Sequence, residues 1–244
     1  MNYKLTLCYD GSRYKGWQKQ KNTDNTIQGK VEAVLSRILG EPVEISGCGR
    51  TDAGVHAREQ VCSFRSGTEI SCAEILDALR KYLPEDIGAL SLEEADGRFH
   101  ARLSCREKTY VYRIHNSESP NVFERKLSYH FPQKLDIEKM RQAAEFLKGT
   151  HDFAAFSSVK NAKKTTVRTI SEIGIDLEND LITMRFTGDG FLYNTVRILV
   201  GTLIEVGDGQ READSIPPVF ASGNRELAGF TAPACGLFLW EIKY

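Results

Sequence analysis

The spacing of apolar residues changes along the chain between a two-residue and a 3.6-residue period, and these periods predict strands and helices respectively. Residues 3–9 alternate apolar and polar side chains, which is typical of a strand. Ile27, Val31 and Leu35 recur on one helical face. That run follows an Asn-Thr pair and ends at Gly40, so it predicts an amphipathic helix.

The next part of the chain predicts two short strands, a second helix and a further strand. The short strands are expected at 42–46 and 60–64, on either side of a glycine-rich loop. Ser71 and Glu74 form a capping-box pattern before an apolar helical run that a proline ends, and 87–92 reads as a strand. This order of elements is typical of a ferredoxin-like split βαβ domain.

A second set of similar elements follows, although the two halves share no visible sequence repeat. We therefore predict an α+β fold of two ferredoxin-like halves, whose antiparallel sheets pack together or join into one extended sheet, with an active-site cleft between the halves. The predicted domains are 1–104 and 105–244. The elements predicted in the second half are strands at 108–115, 127–131, 169–177, 181–186 and 236–244, a helix capped by Asp136, and a helix near 193–206.

Composition excludes several classes of protein. The chain has 244 residues, of which 41% are hydrophobic and 27% charged, as in ordinary globular proteins. No stretch approaches the roughly 20 apolar residues that span a bilayer, and no secretory leader precedes the first strand, so we expect a cytoplasmic protein without a membrane partner. The six cysteines lie far apart, without histidines at metal-ligand spacing, and predict no metal site.

Charge is unevenly distributed, although the formal net charge is only -1. Residues 67–96 hold eight acids against two bases, whereas residues 98–113 hold five bases against one acid. This asymmetry predicts a basic face that binds a polyanion in a salt-sensitive way, with an ordinary solvated surface as the alternative. A second basic group consists of Lys160, Lys163, Lys164 and Arg168.

Asp52 is the first candidate for chemistry. It lies in the loop GRTDAGVH between two predicted strands, with glycines on both sides that would let a ligand approach the backbone closely. The alternative is that Thr51, Asp52 and Gly54 simply form a turn, and composition alone favours the turn.

Arg197 is the second candidate, because it is the only charged residue in the apolar run 191–204. Its guanidinium must either reach solvent along its stem or pair with a carboxylate, since an unpaired buried charge is costly. Pairing with Asp52 would be worth about 4 kcal/mol for charges about 4 Å apart at an effective dielectric near 20. It would keep Asp52 ionised and suited to nucleophilic or basic work.

Tyr110 and Tyr112 alternate along a strand among basic residues, so both rings should emerge on the same side. Such rings either stack on an unpaired base or belong to the core. The sequence contains no phosphate-binding loop, dinucleotide fingerprint, nucleophile elbow or HExxH motif, so we expect chemistry without a cofactor.

Five segments together resemble the TruA-type tRNA pseudouridine synthases, and they occur in that family's order from end to end of the chain. GRTDAGVHA is the most specific of them. Thr195, Cys48 and Cys62 depart from the usual pattern, which bears on packing more than on catalysis. The segments are YDGSRYKGWQKQ (9–20), GRTDAGVHA (49–57), FHARLSCREKTYVYRI (99–114), GDGFLYNTVRILVGTLIEVG (188–207) and APACGLFLWEIKY (232–244).

The resemblance implies an isomerase that converts uridine to pseudouridine in the anticodon stem-loop of tRNA, at tRNA positions 38, 39 and 40. It implies that Asp52 is the essential aspartate, that Arg50 helps to flip the target nucleotide, and that Tyr110 stacks on the target base. It also implies that Arg197 pairs with the aspartate, that no cofactor is needed, and that a homodimer binds tRNA through both subunits. Arg58 and Arg168 are further candidates for contact with the RNA.

Two questions of mechanism and function stay open at this point. Asp52 could attack C1′ of the ribose as a nucleophile, or remove the 2′ proton to give a glycal. The main alternative function is a non-catalytic RNA-binding protein, since a ferredoxin-like sheet with a basic, aromatic face would suit one. A further alternative is an aspartate-dependent hydrolase that acts on a nucleoside bond and releases free uracil.

Overall fold

The computed structural model describes residues 1–67, 69–159 and 165–244 and divides into two compact units. The first unit contains Met1–Arg106 and Phe238–Tyr244, and the second contains Glu107–Leu237. Both are mixtures of helices and mainly antiparallel strands, which confirms the predicted α+β fold of two halves. None of the helices in these described ranges is both long enough and apolar enough to cross a membrane.

The first unit has the strand order of a ferredoxin-like domain. Its central strands pair antiparallel over nearly their whole length, from Asn2 opposite Arg65 to Tyr9 opposite Ala57. The sheet order is β4-β1-β3, and β2 pairs antiparallel with β3 on its other side. Its strands and helices are β1 (Asn2–Tyr9), α1 (Ile27–Leu39), β2 (Ser46–Gly47), β3 (His56–Arg65), α2 (Cys72–Tyr82) and β4 (Ile87–Ala95).

Local signals explain why both helices of the first unit begin where they do. The Thr26 side chain accepts a hydrogen bond from the Gly29 amide, and the helix ends at Gly40, whose φ of 70° suits glycine. Ser71 and Glu74 form the predicted capping box at the start of α2. The α1 face that was predicted from periodicity is buried.

The strand predicted at 42–46 was largely wrong, because only Ser46 of that stretch belongs to a strand. Side chains of α1 occupy its backbone hydrogen-bonding groups instead. The Ile45 amide donates to the Glu32 carboxylate at 3.1 Å, and the Ile45 carbonyl accepts from the Gln28 amide at 3.1 Å. A backbone bound to helix side chains in this way is unavailable for a strand ladder.

A tenth strand, β10 (Leu237–Lys243), brings the chain back into the first unit. It runs parallel to the start of β3, where Phe238 lies opposite His56 and Leu239 opposite Ala57. The strand itself was predicted, but it was assigned with all of 105–244 to the second domain. The pattern of apolar residues identifies a strand and does not identify its partner.

The second unit is built on the sheet order β5-β9-β8-β7, with the short β6 parallel to β5. The predicted strands at 169–177 and 181–186 lie in β8 and β9, which pair antiparallel as a hairpin, and Asn179 at its turn has a φ of 54°. The elements are β5 (Glu107–His115), β6 (Tyr129–His130), α3 (Ile137–Glu145), β7 (Gly149–Asp152), β8 (Val167–Glu178), β9 (Leu181–Gly188), α4 (Thr195–Gly207) and α5 (Ile216–Ser222).

Three details of the second unit differ from the prediction. The strand expected at 127–131 is reduced to Tyr129–His130. Strand β7, with four residues, and helix α5, with seven, were not predicted, because both are too short to show a recognisable period of apolar residues. Helix α4 was predicted, and it is buried almost all round.

Candidate functional site

The loop that carries Asp52 is braced by the segment that follows β1. The Tyr9 hydroxyl shares a hydrogen bond of 2.8 Å with the Thr51 hydroxyl, and the Trp17 amide donates to the Thr51 carbonyl at 2.9 Å. On the far side, the Gln60 side chain donates to the Gly49 carbonyl at 2.8 Å. Gly49 and Thr51, on either side of Arg50 and just before Asp52, are therefore fixed to the body of the first unit.

Two glycines allow this brace to lie in direct contact with the loop. Gly16 has a φ of +91°, and a Cβ at that position would lie 2.7 Å from the Thr51 carbonyl oxygen. A Cβ at Gly11 would lie only 1.9 Å from the Val55 carbonyl oxygen. Since real Cβ atoms do not approach so closely, the segments 9–20 and 49–57 pack against each other only because these positions are glycine.

Asp52 itself begins a tight turn and is half-buried. The Val55 amide donates to its carbonyl at 3.1 Å, and Gly54 has a φ of 79°, as the third residue of such a turn requires. The turn that composition favoured is therefore present. It uses the backbone of Asp52, so it does not compete with a chemical role for the carboxylate.

The polar side chains of Tyr9 and His56 are buried beside the loop. Burial raises the pKa of the Tyr9 phenol far above its ordinary range, so the hydroxyl stays protonated in its hydrogen bond with Thr51. His56 is 1% exposed, and its Nδ1 accepts a hydrogen bond from the Gly11 amide at 3.1 Å. Its ring stacks on Phe238, with centroids 4.6 Å apart.

The two other predicted arginines of the first unit lie at the surface. Arg50 is exposed beside Thr51. Arg58 is exposed on β3, and its guanidinium carbon lies 5.3 Å from the centre of the Trp240 ring on β10. That separation is a cation–π contact, so Trp240 holds the Arg58 cation close to the strand surface.

Arg197 lies in the first turn of α4 in the second unit and is half-buried. Its Nε donates to the Ala232 carbonyl at 2.6 Å, and its Nη1 donates to the Asn194 amide oxygen at 3.1 Å. The Ala232 amide donates to the Arg197 carbonyl at 3.0 Å. The guanidinium is thus held by groups of its own unit, from the segments 188–207 and 232–244.

The positive charge of Arg197 acts to lower the pKa of two neighbouring groups, the Tyr112 phenol and the Cys235 thiol. Burial raises the pKa of the Tyr112 phenol, and Arg197 offsets part of that rise. Burial also raises the pKa of the Cys235 thiol, again with a smaller opposing effect of Arg197. The Tyr112 ring is fully buried and its hydroxyl donates to the Pro233 carbonyl at 2.7 Å, so Tyr112 is a core residue.

Tyr110 differs from Tyr112 in its surroundings. It is 8% exposed, and its ring meets Phe191 edge-on, with centroids 5.2 Å apart and an angle of 81°. The Phe191 ring comes from the loop that precedes α4. This loop therefore lies beside Tyr110 and also leads into the helix that carries Arg197.

Arg168 lies near the same loop, since a Cβ at Gly190 would be 3.6 Å from its Nε. Its Nη1 donates to the carbonyls of Thr165 and Val167, at 2.9 and 2.6 Å. The other members of its basic group, Lys160, Lys163 and Lys164, lie outside the described residues.

The structure thus brings the predicted residues together within each unit. Asp52 and Arg50 share one braced loop, while Tyr110 and Arg197 adjoin the loop 188–194. The pairing of Asp52 with Arg197 stays a prediction. Sequence reasoning missed the parts played by Tyr9, Gly16 and Asn194, although all three lie within the segments that carry the family resemblance.

The fold and the loop together define a class of α+β proteins that consist of two units. One of the units holds an aspartate in a braced, glycine-rich loop. The tRNA pseudouridine synthase family model matches residues 7–104 and 143–244. The chain belongs to this family, whose members are isomerases that act on uridine in tRNA.

Relatives of similar length support this assignment. The chain is 46% identical over 243 residues to tRNA pseudouridine synthase A 2 of a strain of Bacillus cereus, in a match that covers 100% of this chain and 99% of the relative. With the same coverage, it is 47% identical to tRNA pseudouridine synthase A of a Bacillus species and 46% identical to that of Acetivibrio thermocellus. A solved structure entitled "Crystal Structure of a Cbf5-Nop10-Gar1 Complex" matches 83% of this chain and 45% of that chain, at 14% identity and a TM-score of 0.38, a likeness too distant to bear on function.

Proposed function

We propose that the chain converts uridine to pseudouridine in the anticodon stem-loop of tRNA, at positions 38, 39 and 40, and that Asp52 acts at the ribose of a flipped-out uridine. The observation that carries the role of Asp52 is the brace on its loop. Catalysis needs a reacting group held to within a fraction of an ångström. The contacts of Thr51 with Tyr9, Gly16 and Trp17 provide such a constraint one residue before Asp52.

The isomerisation breaks the bond between ribose C1′ and uracil N1, turns the uracil and joins C1′ to C5. The C5 proton leaves and N1 gains one, so no atom is lost overall and no oxidant is consumed. A carboxylate assists either by attacking C1′ or by removing the 2′ proton. Deuterium at C2′ distinguishes the two, because only proton removal shows a primary isotope effect.

The other proposed roles follow the location of each residue. Arg50 assists flipping of the nucleotide from its exposed position beside the loop, and Tyr110 stacks on the target base beside Phe191. Arg197 supplies a fixed positive charge as the partner of the aspartate. Arg58 and Arg168 hold phosphates of the RNA.

Replacing Asp52 by asparagine tests the central role. We expect Asp52→Asn to slow tritium release from C5-labelled uridine in tRNA by at least about a hundredfold, since the neutral amide neither attacks nor removes a proton. Asp77→Asn is the matched control, because this carboxylate of α2 is exposed and makes a 3.7 Å ion pair with Arg80 of the same helix. Normal turnover by Asp52→Asn would remove Asp52 from the mechanism.

Replacing Tyr110 by phenylalanine separates two roles of that residue. The ring and its contact with Phe191 remain, whereas the hydroxyl, which could assist removal of the C5 proton, is deleted. A wild-type rate for Tyr110→Phe leaves only the stacking role, while a slower release of tritium assigns work to the hydroxyl.

Mapping pseudouridine in bulk tRNA with and without the chain tests the anticodon-arm assignment. Modified positions confined to the anticodon arm support it. A non-catalytic RNA-binding protein would bind tRNA without forming pseudouridine, and a hydrolase would release free uracil.

The proposed homodimer, with one tRNA touching both subunits, is tested by sedimentation with and without tRNA. The proposed cytoplasmic location is tested by cell fractionation.

A further inference from the structure

Asn194 adopts an unusual backbone conformation at the start of α4. It is the residue before the helix, where φ is normally extended and an asparagine side chain normally accepts a hydrogen bond from the helix backbone. Here φ is 63° and the side chain makes no capping hydrogen bond. Among the described residues, only Asn179 shares a positive φ without being glycine, and a hairpin turn accounts for it.

The Asn194 side chain is used in another way. Its amide oxygen accepts a hydrogen bond from Arg197 Nη1 at 3.1 Å, and its amide nitrogen donates to the Ser158 hydroxyl at 3.1 Å. Because a guanidinium only donates, the oxygen must face Arg197 and the nitrogen must face Ser158. The Ser158 amide in turn donates to the carbonyl of Tyr193 at 3.0 Å, which ties the two segments together.

These contacts hold the guanidinium from two directions. Arg197 Nε is bound to the Ala232 carbonyl, and Nη1 is bound to Asn194. Two hydrogen bonds at different nitrogens restrict both the position and the plane of a planar guanidinium. Asn194 forgoes a helix cap and takes a strained φ while it supplies the second of these bonds, and such departures from local preference are typical of functional positions.

We propose that Asn194 is a positioning residue for this reaction, which fixes the plane of the Arg197 guanidinium in the orientation that catalysis requires. The proposal rests on the proposed function of Arg197. It assigns no contact between Asn194 and the RNA, so the effect of Asn194 on the rate must pass through Arg197.

Asn194→Gly is the most direct test, because glycine accepts a φ of 63° without strain and removes only the amide. We expect the single-turnover rate at saturating tRNA to fall by about tenfold to a hundredfold, while tRNA affinity and the melting temperature stay close to wild type. Asn179→Gly is the matched control, since it makes the same change at the other asparagine of positive φ. It should leave rate and affinity unchanged.

Two further variants distinguish positioning from a structural role. Asn194→Asp keeps an oxygen facing Arg197 and tolerates the backbone conformation, so its rate should lie nearer to wild type than that of Asn194→Gly. In an Arg197→Ala background, Asn194→Gly should cause no further loss, because the residue through which it acts is gone.

A wild-type rate for Asn194→Gly would overturn the proposal, as would a loss that adds fully to that of Arg197→Ala. A rate loss that accompanies a lowered melting temperature and is not recovered by Asn194→Asp would also overturn it, in favour of a purely structural role. Failure of the proposed function looks different, because then the wild-type chain itself forms no pseudouridine.

Discussion

Replacing Gly16 by alanine tests whether backbone contact holds the Asp52 loop in place. Gly16 has a φ of +91°, and the added Cβ would lie 2.7 Å from the Thr51 carbonyl oxygen and 3.2 Å from the carbonyl carbon of Asp52. Both contacts are with backbone, which cannot rotate away as a flexible side chain can. The loop must therefore shift, and Asp52 shifts with it.

The size of the shift follows from these distances. Ordinary contact begins at 3.4 Å, so the Thr51 oxygen must move by roughly 0.7 Å if the brace stays in place. Misplacing a reacting group by about 1 Å can cost about a hundredfold in rate. We expect Gly16→Ala to lower the single-turnover rate by about tenfold to a hundredfold, and the free energy of unfolding by more than the about 1–2 kcal/mol of the strained φ, because packed backbone is also displaced.

Gly40→Ala provides the control for backbone strain. Gly40 also has a positive φ, of 70°, but a Cβ there would meet nothing within 4 Å. It should lower the free energy of unfolding, measured by urea denaturation, by about 1–2 kcal/mol from the strained φ alone, and leave the rate of pseudouridine formation unchanged. If the two variants are equally active, the bracing of Asp52 by Gly16 is refuted.

Three further outcomes are expected. Thr26→Ala should lower the free energy of unfolding by about 1 kcal/mol in urea, because the Gly29 amide loses its capping acceptor. Burial raises the pKa of Tyr9 and Tyr112 in the folded state, so the folded chain retains protons that the unfolded chain releases, and stability should decline as pH rises above about 10. A urea midpoint unchanged between about pH 8 and about pH 11 would contradict this. Binding of tRNA, measured by filter retention, should weaken steadily with added KCl, and affinity independent of salt would argue against a basic RNA-binding face.

Helices were the most predictable part of the fold, because their signals are local. The caps at Thr26 and Ser71 and the end at Gly40 depend on residues within a few positions of each other. The strand prediction for residues 42–46 was wrong for the opposite reason, because the conformation of this stretch depends on distant residues. Gln28 and Glu32 of α1 form hydrogen bonds with the Ile45 backbone, and a local sequence pattern contains no information about such distant partners.

Within the site, the sequence identified the candidate chemical groups, but it did not identify the residues that hold them in place. Asp52 and Arg197 were singled out because a carboxylate among glycines and a lone charge on an apolar helix are unusual wherever they lie. Gly16 and Asn194 gave no such signal, since their importance lies in a positive φ and in partners from other segments. Backbone angles of this kind are decided by tertiary contacts rather than by composition.

The return of β10 to the first unit has a consequence for biosynthesis. Residues 238–244 leave the ribosome only after the whole of the second unit, yet they pair with β3 at His56 and Ala57, a few residues beyond Asp52. During synthesis, the edge of β3 beside the aspartate loop therefore stays unpaired until the second unit and β10 have been made. A chain released early would contain every residue of that loop and still lack the strand that closes the sheet beside it, so translation itself delays the appearance of a finished site.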